Sequence, residues 1–246
     1  MTRLSSFTEP LTVAVIGASG GIGRAMCQLL DDDARVRAVY AFSRREVDAT
    51  GKVQWYPMDI EDESSISYAT DAIGDVQFDL VLVLTGILHS GDRLRPERQL
   101  KELSADSMAR VFAINTTGPA LVAKHLLPRL TKGRKTVFAA LSARVGSIGD
   151  NRLGGWVSYR ASKAALNQVL RTLSIEHARR WPDSVVVALH PGTVDTPLSK
   201  PFTGNTPDDK LFTPERAAGY LLDVIDGLTK EDTGGFFAWD GSRIDY

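Results

Sequence analysis

The sequence predicts an α/β fold: a doubly wound, seven-stranded parallel sheet with helices on both faces. Three observations carry this expectation. Seven short runs rich in apolar and β-branched residues recur along the 246 residues. Longer stretches with apolar residues at three- and four-residue spacing alternate with them, as amphipathic helices do. The strand candidates are apolar on both faces, which suits a parallel sheet covered on both sides by helices.

The elements follow in order. Leu11-Thr12-Val13-Ala14-Val15-Ile16 reads as the first strand and ends at Gly17, with a helix expected over 21–30. Strands are expected at 36–42 and at 53–56, the second closed by Pro57, and then a helix over 61–72. The run 80–84 is the fourth strand and precedes a long helix over 105–130. The fifth strand, 136–141, leads to a second long helix over 155–180, and the sixth is 185–189. A helix over 214–228 and a last strand at 236–239 complete the pattern. Residues 197–213 are Pro-rich and polar and read as one long surface loop, of the kind that often forms a lid. No repeat or low-complexity linker divides the chain, and its length suits a single domain spanning 1–246.

Composition narrows the function classes. The apolar fraction of 43% and charged fraction of 24% are those of an ordinary globular protein. A net charge of −1 offers no basic field for nucleic acid, so no nucleic-acid partner is expected. The single cysteine, Cys27, rules out an internal disulfide or a Cys-based zinc site and reads as a small buried helix residue. Residues 1–10 show no targeting pattern, and the longest apolar run is far short of the roughly 20 residues a membrane span needs. The expectation is a cytoplasmic protein with no membrane partner.

The first strand runs directly into Gly17-Ala18-Ser19-Gly20-Gly21-Ile22-Gly23 and then a helix. Four glycines in seven residues let backbone approach a pyrophosphate closely, and the helix N-terminus adds free N–H groups and positive dipole charge. The spacing is G-x-x-x-G-x-G. It marks Ser19, Gly20, Gly21, Ile22 and Gly23, with Gly17, as a nucleotide-binding loop of a Rossmann-type domain.

The second strand ends in Phe42-Ser43-Arg44-Arg45, without the carboxylate that selects NAD. Ser43 and Arg44 are placed to meet a 2′-phosphate, which favours NADP(H), held non-covalently. Two solvated arginines at a strand end are the plainer alternative. Asp59, followed by Ile60 after the third strand, is either an acceptor for the adenine amine or the N-cap of the next helix.

Tyr159 and Lys163 are four residues apart on an expected helix and share a face. An ammonium beside a phenol should lower its pKa and make Tyr159 a proton donor to a carbonyl. The pair follows the fifth strand, at the carboxyl edge where open α/β sheets bind ligands. Gly17-x-x-x-Gly21-x-Gly23, Asn115 in Ile114-Asn115-Thr116-Thr117-Gly118, Tyr159-x-x-x-Lys163 and Pro191-Gly192-Thr193-Val194-Asp195-Thr196 stand in one order over nearly the whole chain. Together they resemble a compact short-chain dehydrogenase/reductase. The stretches from Gly146 to Gly155 and from Tyr159 to Asn167 are similar to its C-factor-like and sniffer-type carbonyl reductase branch.

The resemblance implies that Tyr159 is the acid/base and that Lys163 binds the nicotinamide ribose and depresses the Tyr159 pKa. Asn115 would hold a water that relays protons, or serve as a helix-kink residue, or both. Pro191, Gly192, Val194 and Thr196 would contact the nicotinamide carboxamide. The long helices would pair copies into a homodimer or homotetramer, although monomers occur among carbonyl reductases.

Two departures from the pattern matter. The fourth strand ends in Val83-Leu84-Thr85-Gly86 where Asn-Asn-Ala-Gly is usual; Gly86 keeps the close approach to the cofactor. In Ser142-Ala143-Arg144-Val145-Gly146, Ala143 stands where the catalytic serine is usual, leaving Ser142 as the favoured hydroxyl and Ser147 as the other. His89, His125, His177 and His190 show no metal-like clustering, so no metal is assigned; His125 and His177 are expected to cap or face solvent, and His190 to be structural.

Three functions follow. One is a reductase of ketones or aldehydes, or the reverse oxidation of an alcohol, with Pro201, Phe202, Leu211 and Phe212 walling an apolar pocket. Another is an NADP-binding signalling or redox-sensing protein with little turnover. Sugar epimerase chemistry is the weakest, because only about fifty residues follow the sixth strand.

Overall fold

The computed structural model describes residues 3–91, 94–204 and 207–246. Seven of its strands form one parallel sheet: β1 (Leu11–Ile16), β2 (Val36–Ser43), β3 (Val53–Pro57), β4 (Leu80–Val83), β5 (Thr136–Leu141), β6 (Ser184–His190) and, after two short strands, β9 (Phe236–Ala238). Their order is β3-β2-β1-β4-β5-β6-β9, so the winding reverses between β1 and β4 and opens a crevice at their carboxyl ends. The expected strands all form, within a residue or two of their expected ends.

Alternation along each strand builds two cores. Val13, Val15, Leu80, Leu82, Val137 and Val187 face α1 (Gly21–Asp32) and α6 (Pro214–Gly227), which bring Met26, Leu30, Leu221 and Ile225. Ala14, Ile16, Val81, Val83, Phe138 and Val186 face the opposite layer. That layer holds α2 (Glu63–Ala72), α4 (Gly118–Leu126) and α5 (Val157–Ala178), with Ile66, Val122, Leu126, Leu166 and Leu170. Small strand residues such as Ala14, Ala140 and Ala188 let these helices lie close to the sheet.

Three expected helices differ in the structure. The helix expected over 105–130 is α3 (Ala105–Phe112), a π turn at Ala113–Thr117, α4 and a 3₁₀ turn at Leu127–Arg129. The helix expected from 61 begins at Glu63, where Asp62 caps it by accepting from the Ser64 N–H. The helix expected over 155–180 is α5, which starts two residues later.

The loop over 197–213 is partly ordered by pairing. Leu211–Phe212 (β8) runs parallel to Thr193–Val194 (β7), and 3₁₀ turns form at Lys200–Phe202 and Asp208–Lys210. Asn205 and Thr206 of this loop lie outside the described residues. Cys27 is buried in α1 as expected, where burial pushes its thiol up to about 12. His177 departs from its expected solvent-facing place: it is buried, stacked on Trp181 with ring centroids 4.5 Å apart.

Candidate active site

A cleft of about 730 Å³ opens at the carboxyl edge of the sheet. Its walls are the glycine loop, the chain leaving β4, the chain leaving β5, the first turns of α5, and residues 190–203.

The glycine loop has the geometry its residues dictate. Gly17 adopts φ +87°, a left-handed conformation that favours glycine, and its N–H donates to the Phe42 carbonyl at 2.8 Å. A Cβ on Gly23 would lie 2.2 Å from the Gly17 carbonyl oxygen, so α1 can sit this close to the loop only with glycine there. The Gly20 N-cap provides no side-chain cap, and no acidic residue occupies the first turn of α1. The first N–H groups of this helix are therefore available to an anion. Ser19, Gly20, Gly21, Ile22 and Gly23 all line the cleft. Across it, Thr196 Cγ2 would lie 2.9 Å from a Cβ on Gly21, so the segment after β6 closes over the loop.

At the end of β2 the structure differs from expectation. Arg45, not Arg44, lines the cleft. Arg44 is 63% exposed and lies 3.7 Å from Glu61, which Arg110 also engages at 2.7 Å. Ser43 is buried, donates to the Arg45 carbonyl at 2.6 Å and accepts from the Trp55 indole at 3.2 Å, so its hydroxyl shapes the strand end. Asp59 and Ile60 are not part of the cleft wall. Asp59 neither caps α2 nor faces the cavity; its carboxylate accepts from the Glu61 N–H at 3.1 Å in a local turn. Ile60 packs where a Cβ on Gly118 would stand, 2.5 Å from its Cγ1.

Tyr159 and Lys163 rise from α5 into the cleft, both buried. The Lys163 Nζ lies 5.9 Å from the Tyr159 ring centroid and donates to the Leu141 carbonyl at 2.7 Å. The close approach is possible because Gly146 has no side chain: a Cβ there would lie 2.8 Å from Lys163 Cβ. The expected lowering of the Tyr159 pKa does not hold in this geometry. Burial pushes the phenol up to about 12 and the lysine down to about 7, because desolvation opposes the charged form of each.

Asn115 sits in the π turn, fully buried and outside the cleft wall. Its Oδ1 accepts from the Ile87 N–H at 2.8 Å, and its amide donates to the Ile87 carbonyl at 2.9 Å and the Ser162 hydroxyl at 3.1 Å. This is the kink-residue role, and it ties the chain leaving β4 to the helical layer. Gly86 lies between the two groups: a Cβ there would be 3.6 Å from Asn115 Oδ1 and 3.7 Å from Lys163 Nζ.

Of the two serine candidates, Ser142 lines the cleft; it is buried and its hydroxyl has no hydrogen-bond partner. Ser147 is buried away from it and accepts from the Asp150 N–H at 3.2 Å, a turn role. Ala143 also lines the cleft. Pro191, Gly192, Val194 and Thr196 line it as well, with Gly192 at φ +79° against the Phe212 ring. Phe212 is not a pocket wall: it is buried against Tyr220 and Trp239 in a small third core. Phe202 is a wall.

Sequence reasoning did not single out Trp156 or His89, which line the cleft beside Tyr159 and Phe202. Trp156 stands three residues before Tyr159, a helical spacing that could have drawn attention to it; His89 carried no signal.

The cleft is built for a dinucleotide. Glycines stand where a Cβ would close the cradle, an uncapped helix end faces it, and the buried Ser142 hydroxyl and Thr85 Oγ1 lack partners. Among the described residues, no group of three His, Cys, Asp or Glu could hold a metal, and no helix is long and apolar enough to cross a membrane.

Known proteins agree with this architecture. A model of the short chain dehydrogenase family matches residues 11–206. The chain is 33% identical over 238 residues to 1-hydroxy-2-glutathionyl-2-methyl-3-butene dehydrogenase of Rhodococcus sp. (strain AD45), covering 96% of this chain and 99% of that one. It is 39% identical over 145 residues to C-signal of Myxococcus xanthus, covering 59% of this chain and 82% of that one. Among solved structures, NADPH-bound carbonyl reductase from chicken fatty liver superposes with a TM-score of 0.84 at 25% identity, covering 98% of this chain and 97% of that one. The Sniffer carbonyl reductase of D. melanogaster shares the fold, with a TM-score of 0.83 at 20% identity over 97% of this chain and all of that one. With the glycine cradle, the Tyr159–Lys163 helix and a family match running from the first strand to the loop after the sixth, the chain belongs to the short-chain dehydrogenase family of oxidoreductases.

Proposed function

We propose that the chain is an NADP(H)-dependent carbonyl reductase, working as one nucleotide-binding unit over 1–246 with residues 197–213 at the substrate entrance. The observation that carries this reading is the buried Tyr159–Lys163 pair facing the glycine cradle across one cleft. NADPH, bound non-covalently, supplies a hydride to the carbonyl carbon.

The chain's residues do the rest. Tyr159 keeps its proton at neutral pH, because burial holds its pKa near about 12, and so it is a donor ready for the carbonyl oxygen. Lys163, at about 7, exchanges protons near neutrality and can restore the proton that Tyr159 gives up. Ser142 offers the second hydrogen bond to that oxygen; its free, buried hydroxyl supports the role in place of a serine at Ala143. Asn115 fixes Ile87, and with it Gly86, against the pair. Ser19 to Gly23 hold the pyrophosphate, Arg45 meets the 2′-phosphate, and Pro191, Gly192, Val194 and Thr196 seat the nicotinamide. The printed NADPH of the chicken carbonyl reductase supports the choice of cofactor.

A second reading, an NADP-binding signalling or redox-sensing protein with little turnover, is favoured by Ala143, which puts a methyl group where a hydroxyl is usual. One experiment separates the two. NADPH oxidation is followed against aldehydes, ketones and quinones, with Tyr159→Phe as control. Reduction that falls by a factor of about 10²–10⁴ in the variant supports the reductase. NADPH binding without any turnover supports the second reading.

A further inference from the structure

The start of α5 is held in an unusual way. Gly154, Gly155 and Trp156 adopt φ of +64°, +68° and +52° in succession. The glycines take this conformation freely. A tryptophan does not, and it persists only where the surroundings over-determine it. Trp156 is also the N-cap of α5 and makes no side-chain cap bond.

The missing cap comes from a residue 61 positions away. Glu97, on the segment between β4 and α3, is 3% exposed. Its carbonyl accepts from the Trp156 N–H at 2.5 Å. Its carboxylate accepts from the Ser158 N–H at 3.2 Å and from the Ser158 hydroxyl. One side chain and its own carbonyl thus grip both sides of Trp156, where a carboxylate also meets the positive end of the α5 dipole.

The gripped indole is a wall of the cleft. It meets the Tyr159 ring edge-on at 6.3 Å and the Phe202 ring at 5.1 Å; Phe202 in turn meets His89 at 5.6 Å. His89 is tied to the Pro197 carbonyl at 2.9 Å. An aromatic arch of Trp156, Phe202 and His89 therefore spans three segments beside the reacting phenol.

We propose that Glu97 is a positioning residue: by capping α5 from a distant segment it locks Trp156 in the left-handed conformation that sets the arch across the substrate end of the cleft. The carbonyl substrate that this arch accepts is an apolar or aromatic one, lying flat against the indole. This substrate role rests on the reductase reading above; the grip of Glu97 on Trp156 does not.

The test has two independent readouts. Hydrogen–deuterium exchange over 154–160 should rise in Glu97→Ala while exchange elsewhere in α5 is unchanged, and Glu97→Gln, which keeps an acceptor for the Ser158 N–H, should restore most of the protection. In steady-state reduction of an aryl ketone, Glu97→Ala should raise KM by roughly tenfold, about the worth of one aromatic contact, with kcat and NADPH affinity little changed. Trp156→Ala should raise KM equally, and the double variant no further, because both act through one indole. Should Glu97→Ala fail to fold, the Gln and Trp156→Ala variants still test the coupling: a Gln variant with unprotected 154–160 amides overturns it. Additive KM effects, or kcat, KM and cofactor affinity moving together, would reduce Glu97 to a general structural cap. If the wild-type chain reduces no carbonyl, the reductase reading fails while the exchange result still decides the grip on Trp156.

Discussion

Replacing Gly23 with alanine should separate cofactor binding from folding. The added methyl would stand 2.2 Å from the Gly17 carbonyl oxygen and 2.8 Å from Ala18 Cα, both backbone atoms. Ordinary contact begins near 3.4 Å, so one side must retreat by roughly 1 Å. The α1 side cannot, because Met26 and Leu30 are fully buried against the sheet. The loop yields instead, and the amides that cradle the pyrophosphate move with it. Overpacking costs about 1–3 kcal/mol, and alanine returns about 1 kcal/mol of helix propensity. The net loss of up to about 2 kcal/mol lowers the melting temperature by about 2–8 °C in a chain of this length. Each charge-assisted bond lost to the phosphates costs about 1.5–3 kcal/mol, so NADPH affinity falls at least about tenfold. NADPH fluorescence titration and thermal melting of the cofactor-free protein measure both. Gly21→Ala is the control: its methyl meets only the tip of the Thr196 side chain, at 2.9 Å, and should cost less. A Gly23→Ala protein that binds NADPH within twofold of wild type would refute the reasoning.

Further outcomes follow from the same geometry. Arg45→Ala should lower the preference for NADPH over NADH in kcat/KM by about 10–100-fold, the worth of one bond to a charged phosphate, while Arg44→Ala, whose guanidinium turns to Glu61, should change it by less than about threefold; the reverse ranking would restore Arg44. His177 and His190 are both held down to about 4 by burial, so between pH 6.5 and 4 the unfolded chain binds more protons and stability falls as the pH drops. Thermal melts at pH 7, 6 and 5 should show that decline, and His177→Gln should make it shallower; a melting temperature independent of pH over this window would contradict the burial of both rings.

The sheet was legible because its strands carry little besides apolar residues, and a run such as Val185 to Leu189 has nowhere to go but a sheet interior. The Tyr159–Lys163 pair was legible because helical spacing alone puts the two on one face. The break in the helix expected over 105–130 was not. It falls at Ala113–Thr117, before any glycine or proline, and is secured by Asn115 bonds to Ile87, a contact made only in three dimensions. Arg44 and Arg45 could not be ranked, since which of two neighbours turns inward depends on how the chain leaves β2, and there Ser43 bonds the Arg45 carbonyl. Local reasoning also misjudged the Tyr159 pKa: a nearby ammonium argues for lowering, yet both groups are buried together and desolvation prevails. The start of α5 was hidden for a similar reason, its cap being supplied by Glu97 rather than by an adjacent residue.

The π turn between α3 and α4 also makes the chain intolerant of length changes there. The Gly118 N–H reaches back to the Ala113 carbonyl, one residue further than an α-helix allows. Each residue of a helix advances the side chains by about 100°. Deleting any one of residues 113–117 would straighten the helix and rotate everything after it by that angle. Val122, Ala123 and Leu126, now fully buried under the sheet, would swing toward water, and polar neighbours such as Lys124 would turn inward. In that segment substitutions should survive far more often than single-residue deletions, and a library of both, sorted for folded protein, should show the gap.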